Sequence, residues 1–200
     1  MAANYSFDGI VDRARAALEV LRDEAQRLDE LYLIHESRRR KLGIPCVAIV
    51  GMGRAGNDEA AAFLANTCGL YPVRSSSLNA LPFVAHMIGI DAKQAYLERH
   101  QHREFWIEAC NQLRADDLTR LARWCLGVCD MAVGLRGKDE FAAVMRTEVC
   151  RLSVWIERDV PVDPTTEFTK ADCDVVVENT AGLAEFHKKL RRLGSVLYGR

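Results

Sequence analysis

One stretch, residues 44–64, limits the folds open to this chain more than any other. Residues 46–50 form an unbroken apolar run rich in β-branched side chains, which is typical of a strand covered on both faces. Three glycines then interrupt the run: Gly51, Gly53 and Gly56. An alanine-rich segment follows, with Asp58 and Glu59 at its start, where a helix N-terminus favours negative charge. The stretch therefore predicts a buried strand, a glycine turn and a helix.

The order strand, G-x-x-x-x-G, helix is the framework of a phosphate-binding P-loop. In such a loop, backbone N–H groups curl around an anion at the N-terminus of the helix. A P-loop carries Lys and then Ser or Thr after its last glycine, whereas this chain has Asn57, Asp58 and Glu59. The alternative interpretation is a structural turn in another kind of α/β protein.

Apolar runs alternate with helical patterns along the rest of the chain. The predicted strands cover residues 46–50, 129–135, 152–157 and 175–178. This alternation predicts an α/β fold, a three-layer α/β/α domain with a parallel sheet over residues 44–200. Ligands of such sheets bind at the carboxyl ends of the strands. The segments that would meet there are residues 51–58, 136–138, 158–159 and 179–182.

A long helical pattern over residues 7–41 precedes the first strand. A stripe of residues recurs at alternating spacings of three and four: Val11, Ala14, Leu18, Leu21, Ala25, Leu28, Tyr32 and His35. This heptad stripe predicts one long helix, in a unit of residues 1–43 ahead of the domain at 44–200. The stripe either pairs with a second copy, which makes the homodimer we expect, or packs along the same chain's α/β domain. The basic residues 38–41 predict a solvated helix end.

Composition excludes several function classes. The net charge of −1 and the pI near 6.5 exclude a strongly basic nucleic-acid binder as the default, so no nucleic-acid partner is predicted. The chain has no apolar run of about 18 residues and no signal-peptide layout, which predicts a cytoplasmic protein without a membrane partner. Its seven cysteines include no C-x-x-C pair, which favours buried reduced thiols and no metal site.

A row of arginines lies on the amphipathic pattern of residues 98–126. Arg99, Arg103 and Arg114 are separated by four and eleven residues, and both spacings return to nearly the same face of a helix. Arginines on one face can clamp an anion. The alternative is that they form surface ion pairs with neighbouring glutamates.

Four segments carry a resemblance to a known family. They are VGMGRAGNDEAAAFL at 50–64, VGLRGKDEF at 133–141, WIERDV at 155–160 and DCDVVVENTAGLAEFHKKL at 172–190. On these segments, residues 44–193 resemble the P-loop nucleoside-monophosphate kinases. The similarity is greatest to the phage-type deoxynucleoside monophosphate kinases and the related dephospho-CoA kinases. In the last segment a strand, an Asn, a turn Gly and a helix all follow the family's order.

The resemblance implies transfer of the γ-phosphoryl group of ATP, with Mg²⁺, to a nucleoside monophosphate. It places the phosphate chain of ATP on Gly51, Gly53, Arg54, Gly56, Asn57 and Asp58, and the base near Asn179. It gives catalytic roles beside the phosphates to Arg136 and Arg158. It assigns the monophosphate to Arg99, Arg103 and Arg114, near the serine loop at residues 75–77.

The chain departs from the family at two positions of the phosphate loop. Asn57 stands in place of the Lys that reaches the outer phosphates, and Glu59 stands in place of the metal-binding Thr. Three hypotheses remain open. The chain is an active kinase that uses Arg54 or another cation, a degenerate kinase that still binds a nucleotide, or a scaffold that interacts with proteins through its N-terminal helix.

Overall fold

A computed structural model describes residues 7–73, 75–99 and 101–199 of the chain. Within these ranges four strands form one parallel sheet in the order β2-β1-β3-β4. The strands are β1 (Val47–Gly51), β2 (Met131–Val133), β3 (Leu152–Glu157) and β4 (Val175–Glu178). The register places Ala48 opposite Ala132 on one side and opposite Ser153 on the other. The predicted α/β class with a parallel sheet is therefore confirmed.

The described helices cover both faces of this sheet. They are α1 (Phe7–Val20), α2 (Arg22–Leu42), α3 (Asn57–Cys68), α4 (Ser76–Ile88), α5 (Ala92–Leu97), α6 (Arg103–Leu113), α7 (Arg120–Leu126), α8 (Lys138–Arg146) and α9 (Leu183–Tyr198). A short 3-10 helix, Lys170–Asp172, precedes β4. None of the helices in the described ranges has the length and apolar character needed to cross a bilayer.

Two apolar cores lie on opposite faces of the sheet because successive side chains of a strand point in opposite directions. On one face Ile49 packs with Leu64 of α3 and Phe186 of α9. On the other face Val50 packs in a cluster with side chains of α2, α7 and α8, including Phe141. Burial on both faces explains why β1, β2 and β3 read as apolar runs in the sequence, whereas Val176 of the edge strand β4 is 44 % exposed.

A third core consists of helices alone and includes the N-terminal segment. Helix α1 packs against α4 and α6, and α2 packs against α7. Ala14 and Leu28 are each only 2 % exposed, and Phe83 stacks on Trp124 with ring centroids 4.9 Å apart. The apolar stripe of residues 11–32 is thus covered largely by helices of its own chain.

The N-terminal segment is two helices and not the one long helix that the heptad pattern predicts. The backbone leaves the helical conformation at Leu21, where φ is −100° and ψ is 27°. The hydrogen bonds from Leu21 N to Ala17 O and from Ala25 N to Leu21 O persist across the break. The break lets α1 and α2 pack against different helices. The first six residues of the predicted 1–43 unit lie outside the described residues.

The amphipathic pattern at 98–126 is also interrupted, so Arg99, Arg103 and Arg114 do not share one helix as their spacing predicts. Helix α5 ends before Arg99, and α6 and α7 are separate. Between them, Asp117 accepts hydrogen bonds from the backbone N and the Oγ1 of Thr119, at 2.9 and 2.7 Å. Such a side-chain turn competes with the helical hydrogen bonds and favours a break.

The basic helix end at residues 38–41 is not wholly solvated. Arg39 is 1 % exposed, and its guanidinium donates to the carbonyl oxygens of Leu126 and Cys129, at 2.5 and 3.2 Å. Arg38 donates to the fully buried Asp130 at 2.9 Å. These contacts join α2 to the segment that leads into β2.

Candidate functional site

The strand order creates a crevice between the carboxyl ends of β1 and β3. From β1 the chain continues to β2 on one side, and from β3 it continues to β4 on the other. Connections that leave two neighbouring strands in opposite directions mark the point where ligands bind on open α/β sheets. Gly51, at the end of β1, lies opposite Ile156 of β3. The glycine loop therefore begins at this crevice.

Side chains from other segments lie directly against two glycines of the loop. A Cβ atom on Gly53 would lie 2.6 Å from Oδ2 of Asp163. Gly56 has a φ of 106°, and a Cβ there would lie 2.7 Å from Nδ2 of Asn179. The loop is thus closely packed against the segments that follow β3 and β4.

The loop presents backbone donors without acceptors. The N–H of Ala55 donates to Met52 O at 3.1 Å. By contrast, within the described ranges the N–H groups of Gly53, Arg54, Gly56 and Asn57 have no protein acceptor. Unpaired N–H groups that lead into the N-terminus of a helix, here α3, can bind an anion. The backbone of the loop therefore fits a phosphate chain.

Asn57 does not reach outward as the Lys of a P-loop does. Its Nδ2 donates to the carbonyl oxygens of Gly51 and Met52, at 3.2 and 3.3 Å. Its Oδ1 is buried and has no hydrogen-bond partner among the described residues. The side chain holds the loop together from inside and adds no positive charge to it.

Glu59, at the position of the metal-binding Thr, faces α9. Its Oε1 lies 2.7 Å from Nε2 of His187, whose ring stacks on Phe63 at 4.1 Å. In the part of the chain that the structure describes, no group of three or more His, Cys, Asp and Glu side chains is placed to hold a metal ion.

A cleft of about 700 Å³ lies beside the glycine loop. Its lining includes Arg99, Arg103 and Arg114, together with Arg136 after β2 and Ser75 and Ser77 before α4. Arg99 and Arg103 do not lie on one helix, because the chain breaks between α5 and α6. Both nevertheless line this cleft. Asp58, at the start of α3, also lines the cleft. The cleft thus brings together the arginines predicted from the sequence.

Two of these arginines are held by the protein's own groups. Arg99 lies over the ring of Tyr96 at 4.2 Å and donates to the carbonyl oxygen of the same residue at 2.9 Å. Arg114 forms an ion pair with Glu140, which is 3 % exposed. Burial raises the pKa of Glu140, and the charge of Arg114 opposes that shift. Their guanidinium groups shape the walls of the cleft.

The other two arginines, Arg103 and Arg136, converge on Asp163. An Nη2 of Arg103 lies 2.9 and 3.0 Å from the two carboxylate oxygens, and Nη1 of Arg136 lies 2.6 Å from Oδ2. Burial alone would raise the pKa of Asp163, but hydrogen bonds from Thr165 and the nearby arginine charges hold it well below its usual range. The carboxylate is therefore ionised and lies between two cations and the glycine loop.

Arg54 and Arg158 are exposed at the surface near the loop. Neither pairs with a carboxylate in the described parts of the chain. Arg158 lines a second cleft of about 450 Å³ after β3, with Met52, Lys170 and Thr180. It lies apart from the cluster of Arg103 and Arg136, which line the other cleft.

Asn179 fastens the glycine loop to the edge of the sheet. Its Nδ2 donates to Ala55 O at 2.8 Å, and its backbone N donates to Glu157 O at 2.7 Å. Its side-chain amide is therefore engaged with the loop itself.

Sequence reasoning assigned no functional role to Asp163, which binds two arginines of the cleft, or to three side chains that line the cleft: Glu140, Trp106 and Cys110. Asp163 lies in a loop, and its only signal was the D-P-T-T order, which favours a side-chain turn through Thr165. Glu140 and Trp106 fell on helical patterns without a local sign of their role. Cys110 also lines the cleft, where burial raises the pKa of the thiol to about 12, so that it stays protonated.

No protein-family model matches this sequence, and no curated protein matches it. The likeness to the P-loop kinases thus stays a prediction from the four sequence segments.

Proposed function

We propose that this chain is a nucleotide-binding protein of the nucleoside-monophosphate kinase type, which transfers the γ-phosphoryl group of ATP slowly. The observation that carries the proposal is the glycine loop with unpaired N–H groups at the crevice between β1 and β3, directly beside an arginine-lined cleft. Phosphoryl transfer depends mainly on positioning and charge neutralisation. The glycine loop is the site for ATP in this proposal, and the arginine-lined cleft is the site for the acceptor. Because the two lie side by side, they would position both substrates for transfer.

The two parts of the site have separate roles in this proposal. The N–H groups of Gly53, Arg54 and Gly56 bind the phosphate chain of ATP. Arg103 and Arg136 bind the phosphate of the acceptor, because a guanidinium fork matches phosphate geometry. Asn179 keeps the loop closed through its bond to Ala55 O.

Slow transfer follows from the contacts of Asn57. The side-chain amide donates hydrogen bonds to two loop carbonyls and brings no positive charge to the outer phosphates of ATP. Electrostatic stabilisation of the transferring group commonly contributes several kcal/mol, about 2.7–4 for a single donor. Arg54 and Arg158 are the exposed cations that remain to replace part of that effect.

A second candidate function is nucleotide binding without catalysis. Two observations favour it: the inward position of Asn57 and the engagement of Glu59 with His187. As a result, neither Asn57 nor Glu59 directs its side chain at the phosphates, as the residues at these positions of a P-loop kinase do. Under this alternative the protein acts as a nucleotide-dependent interaction module.

Calorimetric titration distinguishes the two candidates. ATP, ADP and a panel of nucleoside monophosphates are titrated with and without Mg²⁺, and product formation is followed separately. Binding with slow turnover supports the proposal, and binding without turnover selects the second candidate. Arg136→Gln is expected to weaken monophosphate binding by at least tenfold, whereas the exposed Arg146→Gln serves as a control of equal charge change. Absence of any binding would reject both candidates and leave the scaffold hypothesis.

The predicted homodimer gains no support from the described residues. Ala14 and Leu28 of the apolar stripe pack inside their own chain, so a second copy would have to use exposed side chains such as Leu33 and Ile34. Both lie on α2 and are more than 60 % exposed, at 62 % and 64 %. We expect light scattering at micromolar concentration to give the mass of one chain. A dimer that Leu33→Lys and Ile34→Lys dissociate would support association through this face instead.

A further inference from the structure

We infer that the carboxylate of Asp163 occupies the seat of a ligand phosphate, and that a phosphate-bearing ligand binds there by displacing it. This inference rests on the proposed function and adds a regulatory contact to the same site. The seat lies between Arg103, Arg136 and the glycine loop. The ligand chemistry is that of two adjacent phosphates, the acceptor phosphate at the arginines and the end of the ATP phosphate chain at the loop, and inorganic pyrophosphate is the probe for it.

The contacts around Asp163 are those of a bound anion. Arg103 reaches both carboxylate oxygens and Arg136 reaches Oδ2, while Thr165 donates from its backbone N and its Oγ1 to Oδ1, at 3.1 and 2.6 Å. Carboxylates and phosphates are the two anions that guanidinium groups bind best. The carboxylate therefore neutralises the charge of two arginines that line the cleft.

The position of the carboxylate against the loop is the second observation. Oδ2 lies 2.6 Å from the place that a Cβ on Gly53 would take, so the carboxylate lies directly against the backbone of the loop. The N–H groups of Gly53 and Arg54 are adjacent, and no described residue accepts from either. A phosphate has more oxygens than a carboxylate and can use these N–H groups together with the two arginines.

Exposure shows from which side a ligand can enter. The side chain of Asp163 is only 10 % exposed, whereas those of Arg103 and Arg136 are 51 % and 37 % exposed. The arginines are thus open to the cleft while the carboxylate lies beneath them. An incoming anion can engage the arginines before Asp163 leaves.

The segment that carries Asp163 is anchored a few residues further along the chain. Displacement of Asp163 therefore requires only a local movement. Glu167 N donates to Arg136 O at 2.9 Å, and the buried Phe168 stacks on Phe141 at 4.3 Å. Val162, next to Asp163, is 79 % exposed. The turn around Asp163 can therefore shift outward while the anchor at Phe168 stays in the core.

Because Asp163 must leave before the ligand binds, the apparent affinity equals the intrinsic affinity multiplied by the fraction of molecules in which the seat is free. If Asp163 occupies the seat in about 99 % of molecules, the apparent dissociation constant rises about 100-fold. Removing the negative charge of Asp163 should recover most of this factor.

Calorimetry with inorganic pyrophosphate on the full chain tests the inference. We expect Asp163→Asn to bind pyrophosphate at least tenfold more tightly than wild type. The matched control is Asp159→Asn, which removes the same charge from the same loop and should bind as wild type does. Adding Arg136→Gln to Asp163→Asn should abolish the gain. Thr165→Val, which removes one hydroxyl donor to Asp163, provides a second variant and should give a smaller gain.

Several outcomes would overturn the inference. One is unchanged pyrophosphate affinity in folded Asp163→Asn and in Thr165→Val. Another is an equal gain in Asp159→Asn, which would indicate a general charge effect. If wild type binds ATP but neither Asp163→Asn nor Thr165→Val binds pyrophosphate more tightly than wild type, the displacement inference is wrong and the proposed function stands. If wild type and Asp163→Asn bind no nucleotide and no pyrophosphate, the proposed function fails as well.

Discussion

Replacing Asp130 with alanine is expected to lower the free energy of unfolding by about 3–5 kcal/mol, the usual cost of removing one partner from a buried ion pair. Asp130 is fully buried. It accepts from Arg38 and from the backbone N of Tyr71, each at 2.9 Å, and lies 4.0 Å from Arg39. Without the carboxylate, the buried guanidinium of Arg39 keeps only carbonyl partners, and the N–H of Tyr71 loses its acceptor.

Urea denaturation measures this effect. The control is Asp116→Ala, which removes the partner of Arg120 from a pair in which the Asp116 side chain is 70 % exposed. Its cost should stay below about 1 kcal/mol, because exposed ion pairs contribute little. A second variant, Arg39→Met with Asp130→Leu, should recover part of the loss, since apolar side chains can replace a buried pair. A loss below about 1 kcal/mol in Asp130→Ala would show that water or another group compensates Arg39.

Features encoded in short stretches of sequence could be predicted. The strand, glycine turn and helix of residues 46–64 depend on local composition, and the structure has β1 and α3 there. The parallel sheet followed from the alternation of strands and helices. The meeting of Arg136 with the glycine loop region followed from the rule that loops at the carboxyl ends of parallel strands lie together.

Features set by distant contacts could not be predicted. The break at Leu21 contains no Gly or Pro, and it exists because α1 and α2 pack against different helices. Arg39 sits in a run of four basic residues, a composition that favours solvent, yet α7 and the start of β2 cover it. Asp163 is 60 residues from Arg103 in the sequence, so no local pattern could pair them.

Asn57→Lys is expected to tighten ATP binding and to raise the rate of phosphoryl transfer by up to about 10²–10³, the effect commonly associated with one well-placed electrostatic donor. The new ammonium group would act in a loop whose N–H groups at Gly53, Arg54 and Gly56 have no acceptor among the described residues. The substitution also removes the hydrogen bonds to Gly51 O and Met52 O, which should lower the free energy of unfolding by about 1 kcal/mol. Activity and stability should therefore change in opposite directions.

The control for Asn57→Lys is Asn66→Lys, which adds the same charge to an exposed position of α3 away from the loop. Coupled assays of ADP formation and urea denaturation provide the two readouts. Equal rate changes in both variants would show that net charge, and not its place at the loop, is responsible. A wild-type rate in the ordinary kinase range of roughly 1–100 s⁻¹ would mean that another cation already does the work of the missing Lys. Arg54 and Arg158 would then be the residues to replace next, because both are exposed beside the loop and pair with no carboxylate in the described ranges.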